Sequence, residues 1–339
     1  MRSRILWAVF LVLGLSFIAP FVIYPVFLMK VLCFALFACG FNFLLGYVGL
    51  LSFGHAAFFS LAAYTTGLVT INLKVTPEVG ILIGTCAATL LGLVIGWLAI
   101  RRSGIYFSMI TLALAQMLYF IYLQAPFTGG EDGLQGVPRG RLFGFIDLGN
   151  NLYLYYTVLA IFIGGYCLAH RAVHSPFGHV LQAIRENEPR AISVGYEVNR
   201  YKLLAFVFSS ALAGLAGSTK TLVLQLASLA DAHWHLSGEV VLMTLLGGMG
   251  FLIGPVVGAA LVVTLQSYLS AGPLASFVPV ILGSCFVICV MSFRRGIVGE
   301  IRAAITRYSA ASESRSISRV TPDRNDHAAT AGKDGGISS

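Results

Sequence analysis

The chain has 339 residues, 57% of them hydrophobic and 11% charged, with a mean hydropathy of +0.84. Soluble domains carry about a quarter charged residues, so this composition excludes an ordinary soluble protein and points to a polytopic membrane protein. The net charge of +8 does not signal nucleic acid, because the Lys and Arg residues collect in loops and tails between apolar runs, as the positive-inside pattern requires.

In chain order, apolar runs fall at about 5–24, 27–50, 53–72, 80–100, 104–124, 152–169, 203–226, 238–270 and 274–293. Each is near or above the roughly 20 residues a helix needs to cross a bilayer. The start, MRSR before an apolar run, has the look of a signal peptide. No small-residue cleavage site follows, and Pro20 and Pro25 lead into the next run, so a retained first span is expected. Four basic clusters orient the runs: Arg2 and Arg4, Arg101 and Arg102, the passage 171–202, and Arg294 and Arg295. All four, and both termini, are expected in the cytoplasm. The Gly-rich loop 125–151, with TGGEDG, then lies outside.

Parity holds until Lys202 and fails beyond it, where three runs precede Arg294. One of them must not cross, or must cross twice. The run 238–270 is too long for a simple span and is interrupted by Gly247, Gly248, Gly250, Gly254 and Pro255. A broken or re-entrant helix there restores an even count. An earlier run is interrupted similarly, by Gly46, Gly49, Ser52, Gly54 and His55. Irregular backbone at membrane depth survives only where it is buried in protein or lines a cavity. Ser52, Gly54, His55, Gly247, Gly248 and Gly250 are therefore the candidate pathway residues, with 52–55 and 247–250 expected to face each other. The expected fold is an all-α polytopic helix bundle of about 8–10 spans with broken segments.

The passage 175–202, SPFGHVLQAIRENEPRAISVGYEVNRYK, is polar yet patterned. Ser175 suits a helix N-cap with Pro176 at the first position, and Phe177, Val180, Leu181 and Ile184 form one apolar stripe. A second start follows, with Asn187 or Glu188 as cap, Pro189 in the first turn, Ala191 and Ile192 as an apolar side and Gly195 as the stop. Two short cytoplasmic helices at an elbow are expected, one resting on the membrane domain and one facing outward. Residues 1–307 then form the transmembrane domain, and the polar stretch 308–339 reads as a disordered cytoplasmic tail.

Single chemical groups are sparse. His55 is an ionisable group inside an early span, either a functional group or a neutral group capping a broken helix. His233 and His235, two apart with no third ligand, are a weak metal signal, and Trp234 between them fits an interfacial belt. Glu239 suits the first turn of a helix near the outer interface. Lys220, inside an apolar run, must snorkel or find a partner. Ala213, Gly214, Gly217 and Ser218 suit close helix packing. The six Cys residues lie in apolar runs without metal or disulfide spacing. No phosphate-binding GxxxxGK[ST], GxSxG or HExxH occurs, so neither nucleotide hydrolysis nor hydrolase chemistry is expected of this chain. Intramembrane acids that would mark a secondary transporter are confined to Asp231 and Glu239 near a span end.

Five stretches together, GYVGLLSFGHAAFFSLAAY, GIYFSMITLALAQ, TGGEDGLQGVP, QAIRENEPRAISVGYEVNRYKLLAFVFSSALAGLAG and LLGGMGFLIGPVVGAA, closely resemble the LivM-type permeases, membrane subunits of branched-chain amino acid ABC importers. The resemblance runs in order from about residue 27 to 300. It implies a type II-like importer permease in the bacterial inner membrane. The expected partners are a second, LivH-type permease, two ATPase subunits that bind the ATP, and a periplasmic substrate-binding protein. It implies no catalytic residue, metal or cofactor in this chain. Glu188, Arg190, Ala191 and Gly195 match the family's cytoplasmic coupling loop, with Ala191 and Gly195 at its small-residue positions. The stretch 218–235, with Lys220, and Arg294 depart from the enteric pattern and leave the substrate open; related permeases also serve urea, short amides and aromatic acids.

Overall fold

The structure, a computed structural model, describes residues 17, 19–102, 104–270, 272, 277–292, 296–300 and 303. Most of the expected first span, Arg2, Arg4, Arg294, Arg295 and the tail 308–339 lie outside the described residues. The rest is built of helices, in keeping with the all-α expectation.

Helix α1 (Pro25–Asn42) starts on a proline, whose missing N–H costs nothing at a helix start. It continues through a π-helical turn, Phe43–Val48, and stops at Gly49, where φ of +81° favours glycine. Helix α2 (His55–Asn72) follows, then α3 (Pro77–Ala99) and α4 (Ile105–Gln124). The Gly-rich segment forms short strands, β1 (Leu134–Gln135), β2 (Arg141–Leu142) and β3 (Ile146–Asp147), with β2 and β3 paired antiparallel. Helix α5 (Asn151–Val173) is capped by Asn150, and the elbow consists of α6 (Pro176–Glu186) and α7 (Glu188–Ser193). Then come α8 (Val198–Leu224), β4 (Leu226–Ala227), α9 (Trp234–Gly247), α10 (Gly254–Ser270) and α11 (Val278–Ser292).

Among the described residues, five segments are long and apolar enough to cross a membrane: α1 with its π turn, α3, α4, α5 and α8. They divide by burial. The apolar cores of α1 and α8 are mostly covered by protein, whereas α3, α4 and α5 leave about two thirds of theirs uncovered, as lipid-facing helices would. Helix α2 is shielded differently: 12 of its 18 residues are buried, which lets it carry His55, Ser60, Thr66 and Thr70. Small residues hold this centre together. A side chain at Gly40 would run into Leu212 of α8 at 2.9 Å, and one at Gly214 would run into Ala88 of α3 at 2.5 Å. Lipid supplies no hydrophobic drive between helices, so close backbone approach is what holds them.

The run 238–270 is a helical hairpin. Helix α9 goes toward the elbow, turns through 248–253, and α10 returns against it, with Gly247 and Gly258 so close to the facing backbone that no Cβ fits. The broken segment expected at 238–270 is therefore present. Arg101 sits over the Trp97 ring at 4.5 Å and shares a cleft with Asn199 and Arg200, so the basic pair at 101–102 and the elbow occupy one end of the bundle. At the opposite end β1 pairs with β4, and Arg139 donates to Asn151 and to the Val223 carbonyl, both at 2.8 Å. The loop 125–151 is thereby pinned to the far end of α8.

Candidate functional site: the elbow, the broken helices and a charged cavity

The elbow forms from local signals. Ser175 accepts the Gly178 N–H and Asn187 accepts the Arg190 N–H at 3.0 Å, so Asn187 rather than Glu188 is the second cap. Phe177 stacks between Phe43 and Tyr201, and Leu181 and Ile184 are buried, so α6 rests on the π-helical end of α1. Helix α7 ends in a turn where Gly195 N–H donates to the Ile192 carbonyl and Tyr196 N–H to that of Ala191. Gly195 has φ of +98° and open space where a Cβ would be, so the conformation, not crowding, calls for glycine.

The four expected coupling residues divide. Glu188 is committed to Lys202, Oε1 to Nζ 2.6 Å, fastening α7 to α8. Arg190 is exposed and Gly195 shapes the turn. Ala191 is buried within this chain's own elbow, among Ile184, Val198, Val180 and Tyr201. Exposed apolar surface comes instead from Ile192 (58%), Val194 (69%) and Tyr196 (40%).

A residue not singled out from sequence links the elbow to the bundle. The Arg185 guanidinium donates to the Gly46 carbonyl in the π turn, and its stem covers Gly49 at 3.1 Å from where a Cβ would stand. On the same carbonyl platform rests the 248–253 turn. Gly250 N–H donates to Asn42 Oδ1 at 3.2 Å, Asn42 Nδ2 donates to the Phe251 carbonyl at 3.1 Å, and the Tyr47 hydroxyl donates to the Gly250 carbonyl at 2.9 Å. Gly46, Tyr47, Gln182, Arg185, Glu186 and Gly250 line a cavity of about 460 Å³. The two glycine interruptions do meet, then, but at Gly46 and not at 52–55.

Ser52, Gly54 and His55 pack elsewhere. Gly54 abuts Thr111 of α4, and its N–H donates to Ser52 Oγ at 3.2 Å. His55 is fully buried among Phe41, Phe58 and Phe206, with Nε2 2.8 Å from Ser209 Oγ. Ser209 gives its proton to the Gly40 carbonyl at 2.6 Å, so Nε2 is the donor to Ser209. Gly247 and Gly248 form the α9 end of the hairpin, with Gly248 at φ of +117°.

Lys220 finds its partner across the loop that follows α8. It pairs with Asp231, both nearly buried, and its Nζ lies 5.3 and 5.5 Å from the centres of the Phe34 and Phe59 rings. The pair borders a cavity of about 540 Å³ at the end opposite the elbow, into which Lys30, Glu239 and Gln266 also reach. His233 and His235 lie at its rim with stacked rings. No group of three metal-ligating side chains exists among the described residues. Sequence separation hides the cavity, since its charges come from α1, the 130–132 turn, α8, the 229–232 turn and α9; only Lys30, Lys220 and Glu239 are marked beforehand, by lying inside apolar runs.

Comparison with known proteins agrees with this architecture. The family model for "Branched-chain amino acid transport system / permease component" matches residues 25–291. The high-affinity branched-chain amino acid transport system permease protein LivM of Escherichia coli (strain K12) is 27% identical over 247 residues, 66% of this chain and 58% of that protein. The LivM protein of Salmonella typhimurium is 26% identical over the same shares. The ribose import permease protein RbsC of Bacillus subtilis (strain 168) is 28% identical over 193 residues, 54% of this chain and 58% of that protein. The matches thus span less than two thirds of these relatives' length. No solved structure gives a significant match. The family match over most of the chain, with a bundle of apolar helices broken at paired glycines, places this multi-pass membrane protein in the branched-chain amino acid transport permease family.

Proposed function

We propose that this chain is one permease subunit of an ABC importer in the bacterial inner membrane, carrying branched-chain, hydrophobic amino acids inward. A second, LivH-type permease completes the pathway, two ATPases bind and hydrolyse the ATP, and a periplasmic binding protein delivers substrate. The chain itself carries out no catalysis and holds no cofactor. Both termini and the elbow face the cytoplasm.

One observation carries the reading: an elbow that exposes Ile192 on α7 and Val194 and Tyr196 in the turn after it and, through Arg185, grips the point where the two broken helices meet. Apolar surface at a charged end of a membrane protein suits a docked protein. Motion of that partner reaches Gly46 and Gly250 through one side chain and the stacked Phe177. In this scheme Gly46 and Gly250 gate the cytoplasmic end of the pathway, with Gly247 and Gly248 as the hairpin's flexible end. Ser52, Gly54 and His55 form the packed wall behind it. The relatives named LivM support the substrate class; the relative named for ribose makes that class the point to test.

The test is uptake by vesicles holding the complete complex, with labelled leucine, urea and ribose compared. The expected result is leucine uptake that needs ATP and stops when the partner ATPases are disabled. Uptake by this chain alone, driven by an ion gradient, would overturn the reading.

A further inference from the structure

Five charged side chains from distant parts of the sequence, Lys30, Glu131, Lys220, Asp231 and Glu239, line the 540 Å³ cavity at the end opposite the elbow. Charge inside apolar helices is costly and survives where it has a partner or a task. Two of the five have partners: Lys220 and Asp231 neutralise one another over the Phe34 and Phe59 rings. Glu131 is exposed on the Gly130–Asp132 turn, and the two on helices, Lys30 and Glu239, form no ion pair with each other. Lys30, on the first turns of α1, is half-buried and forms no ion pair among the described residues. Glu239, on α9, takes one hydrogen bond, from Gln266 Nε2 at 3.3 Å. The cavity therefore offers the cation of Lys30 and the anion of Glu239 on facing helices, beside the exposed Glu131 of the 130–132 turn, with Phe34 as an apolar wall, and its volume falls within the roughly 300–1,000 Å³ of small-molecule sites.

We propose that this cavity is a transit site for small zwitterions, with Lys30 receiving the substrate carboxylate and Glu239 the substrate ammonium. The inference rests on the importer reading above and adds to it a site and a requirement. Substrates need a free carboxylate, so amides, urea and sugars are rejected here even where the rest of the pathway would pass them. Lys220 and Asp231 are the site's fixed, self-neutralised floor, which keeps the substrate from pairing with a second lysine.

Ala230 borders the cavity and is exposed, which gives a reporter that leaves the charges alone. Ala230→Cys is placed in the full complex, with the native cysteines replaced by alanine, and labelled with a small polar maleimide. Leucine should slow labelling at least fivefold, and leucinamide and ribose should not. Adding Lys30→Met should abolish the protection, and Lys30→Arg should restore it, which a merely misfolded protein would not do. Persistent leucine protection in Lys30→Met, or equal protection by ribose or leucinamide, overturns the proposal. Normal leucine uptake with no effect of leucine on labelling overturns the site and leaves the importer reading standing. If 4-hydroxybenzoate, which lacks an ammonium, is carried and protects through Lys30 while leucine does neither, the carboxylate contact stands and the amino-acid reading falls.

Discussion

Lys220 shows what a single residue contributes and how far sequence reaches. Its place inside an apolar run announces that it needs a partner. That partner, Asp231, sits beyond the end of α8 and a short strand, and no periodicity extends across that turn. Removing one member of a buried pair leaves the other charge unpaired, at a cost of about 3–5 kcal/mol. Lys220→Met is expected to lower the thermal unfolding temperature of the purified complex clearly, and Lys220→Met combined with Asp231→Leu to recover much of the loss. Equal destabilisation by the single and double variants would show that the pair is not coupled. His55 is the contrasting case. Its isolation within an apolar segment leaves a functional and a packing reading open, and the ring cluster with the Ser209 bond favours packing. Nothing in the sequence near 55 points to Ser209, because the two residues meet only across helices.

At the scale of elements, the elbow was the most legible part of the chain. Ser175 with Pro176 and Asn187 with Pro189 are local signals, and local signals need no tertiary context to be read. What escaped was direction. A small residue flanked by polar ones looks alike whether it faces a partner or its own fold, and Ala191 faces its own fold. Ala191→Trp overfills that cluster at roughly 1–3 kcal/mol and disrupts the elbow itself. The docking face is tested elsewhere: Ile192→Asp with Val194→Asp should leave abundance intact and strip the ATPases from the purified complex. Retention of the ATPases would show that α7 is not the docking face. Gly195→Val forces a branched side chain into left-handed backbone at about 1–2 kcal/mol and should cut ATP-driven uptake without affecting insertion. Arg185→Leu removes a charged hydrogen bond worth about 1.5–3 kcal/mol. It should leave ATPase binding intact but uncouple hydrolysis from uptake; full coupling in that variant would sink the link between elbow and gate. Arg185 was hidden because its acceptor is the carbonyl of Gly46, in the last turn before the helix stops at Gly49, where carbonyls lack an intrahelical partner.

For the whole molecule, counting charge clusters against apolar runs calls for a broken segment at 238–270, and the α9–α10 hairpin is that break. Counting could not say where the hairpin's turn would rest. The expected meeting of 247–250 with 52–55 gave way to a meeting with Asn42, Gly46 and Tyr47 at the other end of the same interruption. Glycine breaks fix where a helix stops, and the neighbours then choose which turn they touch. The central claim is that this bundle works only as one subunit of an ATP-driven complex, and affinity purification of the tagged chain from its native membranes tests it most directly. The account predicts that a second permease and two ATPase subunits co-purify, and that the ATPases are lost from the Ile192→Asp, Val194→Asp variant. Recovery of the chain alone, active in transport without ATPase subunits, would contradict it.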